Sequence, residues 1–154
     1  MTGGQARAAI TDLVYAYAER IDSGDFEGVA DLLAAAELTA EGTDLRCRGR
    51  EEVLALYVGT TRRHADGTPR TKHVTTNVVV EVDEAGDAAS ARSYFTVLQA
   101  VPGALALQPV VAGRYADRFE LVDGRWRFCA RHLAVDLVGD VSHHLEVDLP
   151  GARR

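Results

Sequence analysis

The sequence predicts an α+β domain in which three N-terminal helices pack on a strongly curved, mainly antiparallel sheet and enclose a pocket. Apolar residues recur with the helical period before residue 60 and with a period of two from residue 73 onward. The dipeptide Asp123-Gly124, between two long alternating segments, is a strong hairpin signal. Successive helices can bury their apolar stripes only against one face of such a sheet, which leaves a concave space for a small molecule.

The first helix is indicated by apolar residues spaced three and four apart, and Gly24 is expected to end it. These residues are Ile10, Leu13, Val14, Tyr17 and Ile21. Asp25 is a suitable N-cap for a shorter second helix. Residues 37–49 are predicted to form a short strand or hairpin. A third helix is expected from about Arg50, and its buried stripe consists of Val53, Leu56 and Tyr57.

Four long strands are predicted in the second half of the chain. They cover residues 73–83, 88–101, 110–122 and 125–138. Residues 102–109 are expected to be a connecting loop or a short helix. The domain is therefore predicted to span residues 1–138, followed by an irregular tail, residues 139–154. Such tails are usually mobile, although this one is long enough to cover the pocket mouth or to contact another subunit.

Charge and cysteine content exclude several classes of function. The net charge of −6 argues against a nucleic-acid partner, because binding to phosphates requires a basic surface. Cys47 and Cys129 lack the spacing of a zinc or redox motif, so we expect two reduced thiols and no metal. We see neither a signal peptide nor an apolar run that would cross a membrane, and we expect a cytoplasmic protein without a membrane partner.

Asp117 is a candidate site residue because it lies on an apolar strand face. By alternation, Val111, Tyr115 and Phe119 point to the same side of the strand. A carboxylate in such surroundings is costly unless it is paired or neutral. Two interpretations remain open, a buried ion pair with a nearby arginine or a functional carboxylate.

His73 belongs to a strand whose two faces differ. His73 alternates with Thr75 and Asn77, whereas the other face is a row of valines, Val74, Val78, Val80 and Val82. The histidine faces either the pocket or solvent. If the valines pack against the helices, His73 points away from the pocket. If His73 faces the pocket, the valines are available to a partner subunit.

Three segments together resemble the SnoaL-like branch of the NTF2-like cone fold. AAITDLVYAYAERIDSGDFEGVADLL is similar to the opening helices of that family, and RTKHVTTNVVVEVD is similar to the histidine-bearing strand of the scytalone dehydratase group. GRYADRFELVDGRWRFCARH resembles the closing hairpin. The resemblance covers roughly residues 5–138 and implies a cone of helices and curved sheet around a pocket.

The resemblance also implies a set of site residues. In scytalone dehydratase, bile-acid 7α-dehydratases and hexachlorocyclohexane dehydrochlorinase, an aspartate at the end of the first helix pairs with a strand histidine, and Asp22 and His73 are the matching positions. Tyr17 matches a tyrosine of the bile-acid enzymes. The second histidine of scytalone dehydratase has no counterpart, which argues against scytalone as the substrate. The positions expected to bind substrate are Tyr57, Tyr94, Tyr115, Asp117, Phe119 and Arg131.

The leading functional hypothesis is a cofactor-independent acid–base enzyme of the dehydratase, isomerase or cyclase type. Its substrate would be a small hydrophobic polycyclic or aromatic molecule, with Asp22 and His73 as the acid–base pair and Tyr17 or Tyr94 as a hydrogen-bond donor. One alternative is a polyketide cyclase that uses Asp117. Another is a non-catalytic binding or assembly module, similar to the small subunit of ring-hydroxylating dioxygenases. A homo-oligomer, a dimer or trimer, is expected to form through the valine row.

Overall fold

The computed structural model describes residues 2–149, which form three helices and six strands. The helices are α1 (Gly3–Asp22), α2 (Phe26–Leu32) and α3 (Gly49–Thr60). The strands are β1 (Glu37–Ala40), β2 (Arg46–Arg48), β3 (Thr71–Val82), β4 (Ala88–Val101), β5 (Leu105–Val122) and β6 (Arg125–Val138). Met1 and residues 150–154, the end of the predicted tail, lie outside the described residues.

The strands form one mixed sheet in the order β2-β1-β6-β5-β4-β3. Neighbouring strands are antiparallel, except that β1 runs parallel to β6. The pairings of β3 with β4, β4 with β5 and β5 with β6 contain register shifts, and such bulges bend and twist a sheet. The helices pack on one face of it, so the predicted α+β class is confirmed.

The end of α1 is held against the loop that precedes β3. Gly24 has a φ of 77°, which glycine adopts without strain. A Cβ atom at this position would also lie 2.0 Å from the carbonyl oxygen of Gly67. Glycine is therefore needed at this position both for the backbone conformation and for the close approach of Gly67. The contact brings Asp22, the last residue of α1, next to the start of β3.

Several local predictions are confirmed. The Asp25 side chain caps α2 by accepting a hydrogen bond of 2.8 Å from the Gly28 backbone N–H. Asp123 and Gly124 both have positive φ and join β5 to β6 in a two-residue turn. The two cysteines are free thiols.

The predicted valine row is wrong because β3 contains a bulge. Asn77 adopts a φ of 54°, and the register with β4 shifts between Thr76 and Val79. The shift reverses which residues face inward, since one extra residue moves all later side chains to the opposite face. Val80 and Val82 consequently pack against the core, whereas Val74 is 41% exposed on the outer face.

The predicted loop at residues 102–109 is also wrong for most of its length. β5 begins at Leu105, so that only residues 102–104 connect it to β4. Pro109 lies within β5, where it pairs with Leu98 at a register shift. A bulge tolerates proline because the ladder hydrogen bond that proline lacks is already interrupted there.

The C-terminal segment, residues 139–149, packs against the end of α3 and the residues that follow it instead of extending into solvent. The Arg62 N–H donates to the His144 carbonyl at 2.8 Å, and the Glu146 N–H donates to the Thr60 carbonyl at 2.9 Å. Val141 and His144 are buried. Of the two predicted roles for the tail, the structure supports coverage of the pocket for these residues. No helix of the described residues is long and apolar enough to span a bilayer.

Candidate active site

A cavity of about 350 Å³ lies between the inner face of the sheet, α1, α3 and the C-terminal segment. Most of its wall is apolar, and this part includes Ile21, Leu56, Phe95, Val97, Val111 and Leu145. A few polar side chains interrupt it, chiefly Tyr17, Tyr57, His73, Tyr115, Arg131 and His144. An apolar cavity of this size with few polar groups is typical of a small-molecule site.

Asp22 and His73 form a close pair in the cavity wall. The His73 ring nitrogen Nδ1 lies 2.6 Å from Oδ1 of Asp22, and the His73 backbone N–H donates to Oδ2 at 2.8 Å. The Thr71 hydroxyl donates a further hydrogen bond of 2.8 Å to Oδ1. These contacts hold both carboxylate oxygens of Asp22, whose side chain is 8% exposed. His73 faces the cavity, and the alternative that it points to solvent is wrong.

The contacts determine the charge of Asp22. Burial by itself would raise the pKa of the carboxyl group, but the hydrogen bonds and the charge of His73, together with the Thr71 hydroxyl, lower it overall. The carboxylate is therefore ionised at neutral pH and accepts the Nδ1 proton of His73. Since Nδ1 is occupied in this way, Nε2 is the nitrogen that His73 offers to a bound molecule.

Tyr17 and Tyr57 present linked phenol groups to the same cavity. The Tyr57 hydroxyl donates to the Tyr17 hydroxyl at 2.9 Å, and the Tyr17 ring lies 6.2 Å from the His73 ring, centroid to centroid. Burial raises the pKa of Tyr57 well above its usual value, and the neighbouring Tyr17 adds to this effect. Tyr57 therefore keeps its proton. The Tyr17 hydroxyl accepts that proton and also interacts with the Tyr115 hydroxyl, so the three phenol groups form one cluster in the cavity wall.

Asp117 and Arg131 form a buried ion pair behind these tyrosines. Two parallel hydrogen bonds of 2.8 Å join Nε and Nη2 of Arg131 to the two oxygens of Asp117, and the side chains are 3% and 0% exposed. The Arg131 guanidinium also stacks on the rings of Tyr17 and Tyr115, at 4.3 and 4.0 Å from their centroids. Burial disfavours the charged form of Arg131, but the charge and the hydrogen bonds of Asp117 outweigh this effect. The pKa of Arg131 is therefore raised. The ion-pair interpretation of Asp117 is confirmed, and of the pair only Arg131 lines the cavity.

Two predicted substrate-binding residues lie elsewhere. Tyr94 is 53% exposed and lies on the outer face of β4, since its neighbours Ser93 and Phe95 are the buried ones. Phe119 packs against Phe128 at a centroid distance of 4.5 Å, in a part of the core away from the cavity lining. Neither residue lines the cavity, so the prediction that they bind substrate there is wrong. Tyr17, Tyr57, His73, Tyr115 and Arg131 do line the cavity, and Asp22 lies behind His73.

His144 also lines the cavity, a position that was not predicted from the sequence. It belongs to the C-terminal segment, in which apolar residues follow neither the helical nor the strand period. Its position depends on the contacts of that segment with the end of α3 and with Gln99 of β4. The adjacent pair His143-His144 was the only available signal, and its spacing does not match a metal site. No cluster of three or more potential metal ligands occurs in residues 2–149.

The fold and this site define an α+β protein with an enclosed apolar cavity, whose wall carries a histidine oriented by a buried carboxylate. The chain belongs to the family of SnoaL-like domains, whose family model matches residues 5–132. No curated protein matches it in sequence.

Solved structures confirm the NTF2-like fold. An NTF2-like protein with a cystatin-like fold from Novosphingobium aromaticivorans shares 24% identity at a TM-score of 0.70, over 85% of this chain and 82% of that one. A putative scytalone dehydratase from the same bacterium shares 22% identity at 0.66, over 84% and 83%. The β subunit of a putative aromatic-ring-hydroxylating dioxygenase, also from this organism, shares 23% at 0.68, over 88% and 92%. At these identities the likeness concerns the fold alone.

Proposed function

We propose that this protein is a cofactor-independent acid–base enzyme that acts on a small, hydrophobic polycyclic or aromatic molecule carrying a carbonyl group. The observation that carries the proposal is the 2.6 Å contact between Asp22 and His73 in the wall of an apolar cavity. A histidine oriented in this way is a general base near neutral pH. The apolar wall favours a hydrophobic substrate.

The reaction would begin at a carbon next to the carbonyl group. Nε2 of His73 takes a proton from this carbon, the electron pair of the C–H bond forms the double bond of an enolate, and the carbonyl oxygen gains the negative charge. The Tyr17 hydroxyl donates a hydrogen bond to that oxygen. The Asp22 carboxylate stabilises the imidazolium that forms.

The same proton then completes either of two reactions. In a dehydration, the enolate electrons form a new carbon–carbon double bond while a β-hydroxyl group takes the proton from His73 and leaves as water. In an isomerisation, the substrate carries a second double bond conjugated to the enolate. His73 returns the proton to the far end of this system, the double bond shifts toward the carbonyl group, and the carbonyl group is restored. Neither route calls for an organic cofactor or a metal.

The cyclase alternative that uses Asp117 receives less support. Both oxygens of Asp117 accept hydrogen bonds from Arg131, and the side chain is fully buried. A general base must reach the proton that it removes. Asp117 would first have to break its ion pair to do so.

Exchange of α-protons for deuterium tests the proposal without knowledge of the physiological substrate. Bicyclic to tetracyclic ketones, such as 2-tetralone, are incubated with the protein in D2O and followed by proton NMR. We expect the protein to accelerate exchange and His73→Gln to slow it by about 100-fold or more. Tyr17→Phe should also slow it, because it removes the donor to the enolate oxygen.

The chain offers matched controls for both variants. His132→Gln changes an exposed histidine, and Tyr94→Phe changes a tyrosine on the outer face of the sheet. Both should exchange protons at the rate of the unmodified protein. Full exchange in His73→Gln would contradict the proposal. Ketones that bind without any exchange would favour a binding or assembly module instead, similar to a dioxygenase small subunit.

We also propose that the protein is a homo-oligomer, a dimer or trimer, which uses the outer face of the sheet. The support is an exposed apolar patch, Val74, Val79 and Tyr94, on neighbouring positions of β3 and β4. Exposed apolar side chains grouped on one face of a sheet are typical of subunit contacts.

A further inference from the structure

His144 is held in the cavity wall by contacts on both sides of it in the chain. The Gln99 side-chain amide donates hydrogen bonds to the carbonyl oxygens of Pro69 (2.9 Å) and His143 (2.8 Å). The Arg62 N–H donates to the carbonyl oxygen of His144 itself at 2.8 Å. The backbone that carries the imidazole is therefore fixed relative to β3, β4 and α3, so the ring is a positioned group.

One polar atom of the His144 ring is enclosed without a hydrogen-bond partner in residues 2–149. The residue is only 6% exposed, and Nδ1 is buried without a hydrogen-bond partner among the described residues. Buried polar atoms in native proteins are nearly always paired, and an exception calls for an explanation. The His73 ring is its aromatic neighbour, at a centroid distance of 6.2 Å.

The ring is uncharged at neutral pH. Burial lowers the pKa of His144 to about 4, and the neighbouring His73 and His64 act in the same direction, while Asp22 opposes them. A neutral imidazole has one N–H donor and one acceptor nitrogen. It can hydrogen-bond a carbonyl or hydroxyl oxygen without the desolvation cost that a charged group carries.

We propose that His144 is a second polar contact for the ligand of this cavity, a neutral imidazole that hydrogen-bonds an oxygen substituent of an otherwise apolar molecule next to His73. The inference rests on the proposed function in that it places the ligand in the same cavity. It adds a specificity determinant: the preferred ligand carries an oxygen function close to the carbon that faces His73, and oxygen-free analogues bind less tightly.

A matched pair of probes tests this role. 2-Tetralone and tetralin share one bicyclic skeleton and differ in the ketone oxygen, and their dissociation constants can be measured by NMR titration. We expect the unmodified protein to prefer 2-tetralone. His144→Phe should weaken 2-tetralone binding about five- to tenfold, the effect of one net hydrogen bond, and should leave tetralin binding unchanged. His144→Gln, which retains a donor and an acceptor, should recover part of the loss.

His143→Ala is the control, since the contacts given above involve only the backbone carbonyl of this neighbouring residue. It should bind both probes as the unmodified protein does. Equal weakening of both probes in His144→Phe would show a packing role and overturn the inference. Unchanged 2-tetralone binding in that variant would overturn it too, as would failure of the unmodified protein to bind 2-tetralone more tightly than tetralin.

A second measurement applies even if His144→Phe does not fold. The imidazole ¹⁵N resonances of the unmodified protein should show a neutral His144 that shifts with 2-tetralone and not with tetralin, and the absence of such a shift would overturn the inference. Both readouts report binding without turnover. A protein that distinguishes the probes but exchanges no α-protons would refute the enzyme proposal and leave the role of His144 intact.

Discussion

Asp117 and Arg131 form a pair of opposite charges that is almost completely removed from water. The pair is bidentate, and its guanidinium lies against both the Tyr17 and the Tyr115 ring. Such a pair adds little net stability over apolar residues of the same shape, but removal of one member leaves a buried charge without a partner. Its contribution to the site is to keep Arg131, and the tyrosines stacked on it, in one arrangement.

Asp117→Asn should therefore destabilise the fold by about 3–5 kcal/mol, measured as the free energy of unfolding in urea at pH 7. Asp136→Asn is the control, because Asp136 pairs with Arg114 at 2.8 Å with both side chains more than 40% exposed, and exposed pairs contribute about 0–1 kcal/mol. Equal stability of the two variants would contradict the structural role. Loss of activity in Asp117→Asn at full stability would revive the cyclase alternative.

His144 makes the stability of the fold depend on pH. Its pKa is lowered to about 4 in the folded protein, whereas an unfolded histidine titrates near 6.5. Between these values the unfolded chain binds more protons, so the free energy of unfolding falls as the pH falls. The contribution is fully present above about pH 6.5 and is lost progressively down to about pH 4.

The loss between pH 7 and pH 4.5 should be smaller in His144→Phe than in the unmodified protein, by about 2 kcal/mol, since one pKa unit corresponds to about 1.4 kcal/mol. Urea unfolding of both proteins at the two pH values measures this difference. Because the carboxyl groups titrate in both proteins, their contribution to the pH dependence cancels in the comparison. An identical pH dependence would mean that the pKa of His144 is the same in the folded and unfolded states.

At the scale of elements, the sequence predicts those features that depend on local chemistry. Helix α2 begins where Asp25 can cap it, and the turn between β5 and β6 occurs at Asp123-Gly124, since only a few residue types satisfy those backbone geometries. The pairing of Asp22 with His73 could be predicted for a different reason. The resemblance to a known family paired Asp22 with His73, which no periodicity could do across 51 positions.

The features that sequence could not predict depend on contacts between elements. The bulge at Asn77 reverses the faces of β3. Asparagine tolerates the positive φ found there, but a single asparagine in a run of β-branched residues does not by itself predict an extra residue. Pro109 lies within β5 although a strand interior normally excludes proline, because the register shift accommodates it. His144 reaches the cavity because the C-terminal segment packs against the end of α3 and Gln99.

At the scale of the whole molecule, the bulge determines what the sheet presents to solvent. It turns Val80 and Val82 toward the core and leaves Val74, Val79 and Tyr94 on the outer face. Tyr94 pairs with Thr76, which lies between Val74 and Val79 along β3, and β3 is at the edge of the sheet. The proposed subunit contact is thus smaller than a continuous valine row and includes a tyrosine, a residue type that is enriched at interfaces.

Val74→Glu and Tyr94→Glu should therefore convert the oligomer to a monomer, since a charge buried at an apolar contact is costly without a partner. Light scattering after size exclusion should give about 33 kDa for a dimer of the 16.6 kDa chain, and 16.6 kDa for either variant. Val58→Glu is the control, because Val58 is 52% exposed but lies on α3. The cavity lies on the inner face, so proton exchange per chain should survive dissociation. A monomeric unmodified protein, or variants that keep its mass, would contradict the proposed contact.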